Sequence, residues 1–105
     1  MIVFSILLDA NYPELNIRRS YFIETGEDIF GNWIVEINYG RIGCKGRKKT
    51  FLMECEEDAK KEVKKRLKKR ERLVKRIGVG YSVKQIYGND WFESTSQLFN
   101  DRQEI

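Results

Sequence analysis

The sequence has no histidine among its 105 residues. Imidazole is the usual base that activates a serine or cysteine nucleophile, and it is a common metal ligand. Its absence therefore excludes Ser-His and Cys-His catalysis and any metal site built on imidazole. The chain also carries no paired-carboxylate motif and no cofactor fingerprint. We therefore expect a protein that is not an enzyme and that holds no metal and no cofactor.

Cysteine and long apolar runs are also scarce. Cys44 and Cys55 show no CxxC spacing, which favours reduced thiols in a cytoplasmic protein over a disulfide. No run reaches the roughly 18 apolar residues that a membrane span requires. The apolar start, MIVFSILLDA, lacks a basic segment and a small-residue cleavage site, so it predicts a strand and not a signal peptide. We expect a cytoplasmic protein with no membrane partner.

Four segments rich in β-branched and aromatic residues predict strands: residues 2–8, 17–25, 33–40 and 47–53. The segment DANYPELN, which contains the only proline, Pro13, predicts a turn between the first two. Strands spaced this closely favour an antiparallel meander. Several apolar side chains are expected in the core: Ile23, Phe30, Trp33, Val35, Ile37, Phe51, Val63 and Leu67.

The apolar period changes after residue 55 from that of a strand to that of a helix. The apolar positions follow steps of four, four, seven and three, which form one narrow helical face: Ala59, Val63, Leu67, Val74 and Ile77. Acidic residues begin this segment, basic residues crowd its end, and Gly78 and Gly80 predict its stop.

A fifth strand is predicted over residues 81–87, and residues 1–87 are expected to form a single domain. Residues 88–105 are expected to be a partly packed C-terminal segment with a frayed end. Four of its aromatic and aliphatic residues are candidates for a short helix on the body: Trp91, Phe92, Leu98 and Phe99. The predicted class is α+β, a small antiparallel sheet of four to five strands with one long basic helix packed on one face.

Charge is strongly polarised along the chain. Residues 41–77 contain 16 of the 20 Lys and Arg and carry a net charge of +10, whereas the remainder carries −6. Cations also repeat at i, i+4 on the helix, as in Lys64 and Lys68, and their repulsion costs about 0.3 kcal/mol per pair. A helix that tolerates such repulsion favours a polyanionic ligand over a merely solvated face.

The stretch NYGRIGCKGRKK (residues 38–49) interleaves three glycines with five basic residues, directly after an apolar strand. Glycine allows backbone shapes and close approaches that a Cβ would block. Basic side chains around such a shape indicate an anion that comes near the main chain. The alternative is a hairpin turn that carries charge for no binding purpose.

Five blocks of the chain, in order and over about residues 6–86, resemble the WGR domain in its bacterial form. The signature Trp-Gly-Arg followed by Ile-Gly is represented by Tyr39-Gly40-Arg41-Ile42-Gly43, with tyrosine in place of tryptophan. The other blocks are an Arg-x-Tyr strand, an Ile-Phe-Gly-x-Trp turn, a Gly-x-x-Gly loop and a basic helix that ends in Gly-Tyr. Their residues here are Arg19 and Tyr21; Ile29, Phe30, Gly31 and Trp33; Gly43 and Gly46; Gly80 and Tyr81.

This resemblance implies a small antiparallel sheet with one helix, and binding near DNA ends, as in the DNA-dependent poly(ADP-ribose) polymerases. No counterpart of the polymerase catalytic domain is expected. Tyr39 would stack on a terminal nucleotide, more weakly than tryptophan, and Arg41 would reach a phosphate or a partner surface. Glycine amides of the loop would approach phosphate, and basic side chains would neutralise it. The predicted nucleic-acid site comprises Tyr39, Gly40, Arg41, Gly43, Lys45, Gly46, Arg47, Lys48, Lys64, Lys65 and Lys68.

Alternatives remain open at each of these positions. Tyr39 is also a candidate for a strand-end aromatic that covers the helix, and Arg41 for an ion pair with Glu36 or Glu54. The preferred hypothesis is a module for nucleic acid, DNA over RNA, at duplex ends or nicks. The alternative is a protein-interaction module whose positive face docks an acidic partner.

Overall fold

The computed structural model of the chain describes residues 1–72 and 80–91. Five strands and one helix make up this part of the chain: β1 (Ile2–Tyr12), β2 (Ile17–Glu27), β3 (Trp33–Arg41), β4 (Arg47–Met53), α1 (Glu56–Arg72) and β5 (Ser82–Tyr87). Two short 3-10 turns, Pro13–Leu15 and Asn89–Trp91, complete it. The predicted α+β class and all five predicted strands are confirmed.

The strands form one antiparallel sheet in the order β4-β3-β2-β1-β5. The first four follow one another as the predicted meander. The chain then crosses through α1, and β5 pairs with β1 at the opposite edge of the sheet. The turns that join β1 to β2 and β3 to β4 lie at the same end of the sheet as the C-terminal end of α1.

The prediction that DANYPELN is a turn was wrong for its first half. Residues 9–12 continue β1 and pair with residues 17–20 of β2. Only Pro13–Leu15 forms the turn, which Asn16 closes in the left-handed conformation (φ 56°). Pro13 lies at the first turn position, where its missing N–H leaves no hydrogen bond unmade.

The core lies between α1 and the face of the sheet that α1 covers. Alternate residues of β1, β2 and β3 point to this side, as the period of a strand requires. The fully buried apolar side chains are Phe4, Ile6, Leu8, Ala10, Tyr21, Ile23, Val35, Ile37, Ala59, Val63 and Leu67. Each large aliphatic one contributes on the order of 2 kcal/mol by burial. The predicted core positions 23, 35, 37, 63 and 67 are thus confirmed, and Phe51 is half-buried against them.

The helix is fixed on the sheet by its apolar stripe and by the arginines beside that stripe. Arg66 lies over the Phe51 ring at 4.7 Å and pairs with Glu62 at 2.6 Å. No helix of the described residues is long and apolar enough to cross a membrane. Parts of three predictions lie outside the described residues: the stripe positions Val74 and Ile77, the stop at Gly78, and the short helix of Phe92, Leu98 and Phe99.

The placement of Phe30 in the core was wrong. Its side chain is 79% exposed, because it lies in the turn between β2 and β3, outside the alternation of either strand. Trp33, the first residue of β3, is half-buried and stacks on Trp91 with ring centroids 6.3 Å apart and an interplanar angle of 13°. The stack closes the end of the core that lies opposite the β3–β4 loop.

Candidate nucleic-acid interface

The glycine-rich loop between β3 and β4 requires two of its glycines for its own geometry. A Cβ on Gly40 would lie 2.8 Å from the Gly46 Cα, and a Cβ on Gly46 would lie 2.7 Å from the Tyr39 carbonyl oxygen. Gly46 also has a positive φ of 75°. Gly40 and Gly46 therefore allow the two strands of the hairpin to approach each other closely. The geometry of the turn alone explains both glycines, without a bound anion.

Gly43 differs from its two neighbours in this loop. Its φ is +86°, but a Cβ there would meet no described atom within 4 Å. The loop is held on either side of it, since Ile42 N donates to the Arg18 carbonyl at 3.0 Å and Cys44 N donates to the Arg41 carbonyl at 3.0 Å. The main chain at Gly43 is consequently the part of the loop that is most open to an approaching ligand.

The structure separates the loop from the predicted helix lysines. The loop lies beside side chains on the face of the sheet away from α1, such as Leu7, Phe22 and Asn38, and together they enclose a hollow of about 360 Å³. The helix lysines are exposed on the opposite side of α1 from its buried stripe. They are Lys64, Lys65 and Lys68. The two predicted parts of the site thus face different directions, with the sheet between them.

Four arginines converge instead at the end of the sheet. Arg19 and Arg41 are directly opposite each other in the pairing of β2 with β3, Arg18 precedes Arg19, and Arg70 arrives from the last turns of α1. They line an open groove of about 460 Å³, which we call the cationic groove. Its lining residues are Asn16, Ile17, Arg18, Arg19, Ser20, Tyr39, Gly40, Arg41, Arg70 and Tyr81.

None of the four arginines forms an ion pair with another described residue. Arg41 Nη2 donates to Asn16 Oδ1 at 3.2 Å, and Glu36 pairs with Lys48 at 3.5 Å. The alternative that placed Arg41 in an ion pair with Glu36 or Glu54 was therefore wrong. The groove concentrates positive charge without a described carboxylate to balance it, which is the electrostatic arrangement that an anion requires.

Beneath the groove, Arg70 lies over the ring of Tyr21 with its Cζ 4.3 Å from the ring centroid. Arg70 Nε and Tyr21 Oη are both buried and have no hydrogen-bond partner within the described part of the chain. Burial raises the pKa of Tyr21 above its ordinary value, and the positive charges of Arg70 and Arg66 offset only part of that rise. The hydroxyl is therefore neutral, and the Arg70 charge remains available.

Tyr39 lies between the core and the groove. Its ring is half-buried, tilted by 35° against Tyr21 at a centroid distance of 6.4 Å, with Lys49 Nζ 6.0 Å from its own centroid. The ring thus packs on the core, as the alternative interpretation expected. It also contributes to the groove surface.

The remaining predicted residues of the loop divide between the two faces of the sheet. Lys45 is exposed in the loop and lines the hollow, Arg47 pairs opposite Tyr39 on the helix side, and Lys48 pairs opposite Asn38 on the other side. Three groove cations were missing from the predicted site: Arg18, Arg19 and Arg70. The alternation of β2 places Arg19 on the side of Tyr21, but only the register of β2 with β3 shows that Arg41 is its neighbour.

Residues 5–74, two thirds of the chain, match the family model of the WGR domain. The chain belongs to the WGR domain family. This family is one of nucleic-acid-binding modules that are generally non-catalytic. Comparison with the curated proteins and with the solved structures found no match. Within residues 1–72 and 80–91, no group of three or more metal-ligating Cys, Asp or Glu side chains is present.

Proposed function

We propose that this WGR domain is a non-catalytic module that binds duplex DNA at ends or nicks, with the cationic groove as its principal phosphate site. The observation that carries the proposal is a groove lined by four arginines without described carboxylate partners and by the half-exposed Tyr39 ring, with Arg19 and Arg41 on the same face as that ring. Arginine presents several N–H donors in a fixed plane, which suits phosphate oxygens.

The preference for ends or nicks follows from the position of Tyr39. A base pair inside a duplex is stacked on both faces, so it presents no ring face to a protein side chain. At an end or a nick, one face is free and can stack on an aromatic ring, with a gain of about 1–3 kcal/mol per base. The groove is open and Tyr39 lines it beside the arginines, which supports a role for the ring and the cations at the same terminal nucleotide.

The loop and the outer helix face have lesser roles in this proposal. Gly43, Lys45 and Arg47 extend the phosphate contacts from the groove across the loop, while Gly40 and Gly46 keep the loop in shape. Lys64, Lys65 and Lys68 point away from the groove and act through the long-range positive field, which raises the encounter rate with any polyanion.

Fluorescence anisotropy on five labelled nucleic acids tests the proposal: blunt duplex DNA, nicked duplex DNA, a duplex DNA closed by hairpins at both ends, single-stranded DNA and duplex RNA. We expect the blunt and nicked duplexes to bind more tightly than the closed one. If about six phosphates are engaged, the slope of log K against log salt is about −5. The closed duplex is the matched control, since it has the same base-paired segment but no open helix end.

Equal affinity for open and closed duplexes would contradict binding at ends. Poly-glutamate of matched charge serves as a competitor, because an acidic protein partner would meet the same groove. If poly-glutamate displaced the DNA at equal charge concentration, the groove would recognise charge alone and the protein-interaction alternative would be favoured.

A further inference from the structure

The turn between β2 and β3 presents two large apolar side chains to solvent. Ile29 is 91% exposed and Phe30 is 79% exposed, and they are adjacent in the chain. The turn is held firmly, because the Asp28 carboxylate oxygen Oδ1 accepts hydrogen bonds from Phe30 N at 2.8 Å and from Asn32 N at 2.9 Å. Asp28 N in turn donates to the Asn32 carbonyl at 2.9 Å. Two adjacent large apolar side chains are therefore held in solvent by the turn, where a partner could bury them.

The surroundings of this turn are mainly acidic, which disfavours nucleic acid as its occupant. No Lys or Arg occurs between Arg19 and Arg41 in the sequence, whereas four acidic residues do. All four line a shallow hollow of about 240 Å³ beside the turn, together with Ile2 and Ile34: Glu24, Glu27, Asp28 and Glu36. Lys48 pairs with Glu36 and the terminal ammonium of Met1 donates to the Glu27 carbonyl, but these two cations offset only part of the four negative charges. The surface therefore favours a partner with an apolar contact and a cationic rim over phosphate.

The chain itself contains a surface with that chemistry. The cationic groove combines the apolar surfaces of Ile17, Tyr39 and Tyr81 with four arginines that have no described carboxylate partner. Its volume, about 460 Å³, is within the range of about 300–1,000 Å³ that is common for binding clefts. The turn is therefore complementary to the groove both in polarity and in charge.

We propose that the Ile29–Phe30 turn of one molecule docks into the cationic groove of a second copy. The groove is at one end of the β2–β3 hairpin and the turn is at the other. Eight register steps separate the Arg19–Arg41 pair from the Glu27–Trp33 pair, or about 27 Å along the strands. A molecule cannot fill its own groove over that distance, so the contact is head-to-tail between copies. The inference uses the groove of the proposed function, so bound DNA and a docked copy compete for it.

Sedimentation velocity of the full chain without nucleic acid tests the inference, from about 10 µM to about 1 mM. We expect the mean mass to rise with concentration at low salt and to fall back at high salt. Phe30→Ser and Arg41→Glu each weaken the association by about tenfold or more, since each removes one half of the interface. Tyr87→Ser is the matched control, because Tyr87 is 60% exposed on the edge strand β5 and lines neither the groove nor the hollow beside the turn.

Mixing the two variants separates head-to-tail docking from other modes. Phe30→Ser keeps an intact groove, and Arg41→Glu keeps an intact turn, so each alone is monomeric but an equimolar mixture forms a heterodimer. Circular dichroism melting checks that both variants are folded. A chain that stays monomeric at every concentration, an association that survives Phe30→Ser, or a mixture that forms no heterodimer would each overturn the inference.

The DNA assay distinguishes this outcome from failure of the proposed function. The Phe30→Ser variant is expected to bind blunt duplex DNA as the unmodified chain does at concentrations where both are monomeric. If the chain does not self-associate but binds DNA, the docking inference fails and the proposed function stands. If the chain self-associates as expected but binds none of the nucleic acids, the proposed function fails and the docking inference stands.

Discussion

Arg19 and Arg41 face each other directly across the pairing of β2 with β3, and neither has a described carboxylate partner. Like charges in this position destabilise a sheet by roughly 0.2–1 kcal/mol. Two residues earlier on β3, Tyr39 pairs with Tyr21, and its ring lines the same groove as both arginines. An anion bound between the two arginines would relieve this repulsion. The register of β2 with β3 therefore supports the proposed binding of phosphate.

Replacing one member of this pair is expected to stabilise the fold and to weaken binding. Arg41→Gln removes the repulsion and should raise the free energy of unfolding by about 0.5 kcal/mol in urea denaturation. The same variant should lose about tenfold or more in affinity for blunt duplex DNA. Lys48→Gln is the control for the stability effect, since Lys48 already has Glu36 as a partner and its removal brings no relief. Because Arg41→Gln also removes the hydrogen bond from Arg41 Nη2 to Asn16 Oδ1, Arg19→Gln is measured beside it, and destabilisation by both variants would contradict the repulsion.

The lysines on the outer face of α1 are expected to raise the affinity for open and closed duplexes equally. The triple change of Lys64, Lys65 and Lys68 to Gln lowers the positive field of the helix. It also removes the repulsion between Lys64 and Lys68, and this second effect stabilises the helix by about 0.3 kcal/mol. We expect affinity for the open and the closed duplex to fall by the same factor, measured by anisotropy over a salt series. A selective loss for the blunt duplex would place these lysines in the end-binding site.

The strands and the helix were predictable because their signals are local. The alternation of β2 and the stripe of Ala59, Val63 and Leu67 are set by neighbours a few residues apart, and each was found where the period placed it. The errors occurred where the apolar pattern met a turn. Phe30 belongs by composition to a core, but the Asp28 carboxylate closes the turn around it and leaves the ring outside.

The cationic groove could be predicted only in part. Arg41 was included through the Tyr-Gly-Arg motif, but Arg18, Arg19 and Arg70 reach the groove through pairing register and helix packing across 20 to 50 residues of sequence. The helix lysines illustrate a second limit of the sequence. The charge along a sequence does not show where a basic helix face lies relative to a loop on the other side of the sheet. For this reason the loop and the three helix lysines were assigned to one predicted site.

Tyr21 is expected to make stability depend on alkaline pH. Burial raises its pKa above the ordinary value of 10.0, so the folded state favours the neutral hydroxyl. This contribution is fully present below about pH 10, where an unfolded tyrosine titrates, and it is lost as the pH rises through the folded-state pKa. Tyr21→Phe should flatten the fall in melting temperature above pH 10. An unchanged alkaline profile would contradict the assignment.

The glycines of the loop are expected to differ in their tolerance of a side chain. Gly46→Ala places a Cβ 2.7 Å from the Tyr39 carbonyl oxygen as well as at a positive φ, whereas Gly43→Ala has only the conformational cost. We expect Gly43→Ala to destabilise by about 1 kcal/mol and Gly46→Ala by more than twice that amount. Thermal unfolding followed by circular dichroism measures both. Equal losses would mean that the hairpin backbone adjusts freely to the extra atom at Gly46.

The size of the ring at position 39 is expected to determine the affinity for duplex ends, and its packing on the core is expected to affect the melting temperature. Tyr39→Trp restores the residue of the family signature and enlarges the stacking face, so affinity for the blunt duplex should rise several-fold, within the roughly 1–3 kcal/mol range of base stacking. Affinity for the closed duplex should not change.

Tyr39→Ala should lower the affinity for ends, and it should also lower the melting temperature, because the ring packs on Tyr21. If Tyr39→Ala lowered only the melting temperature and left end binding unchanged, the ring would be a core residue, and the recognition of ends would have to lie elsewhere in the groove.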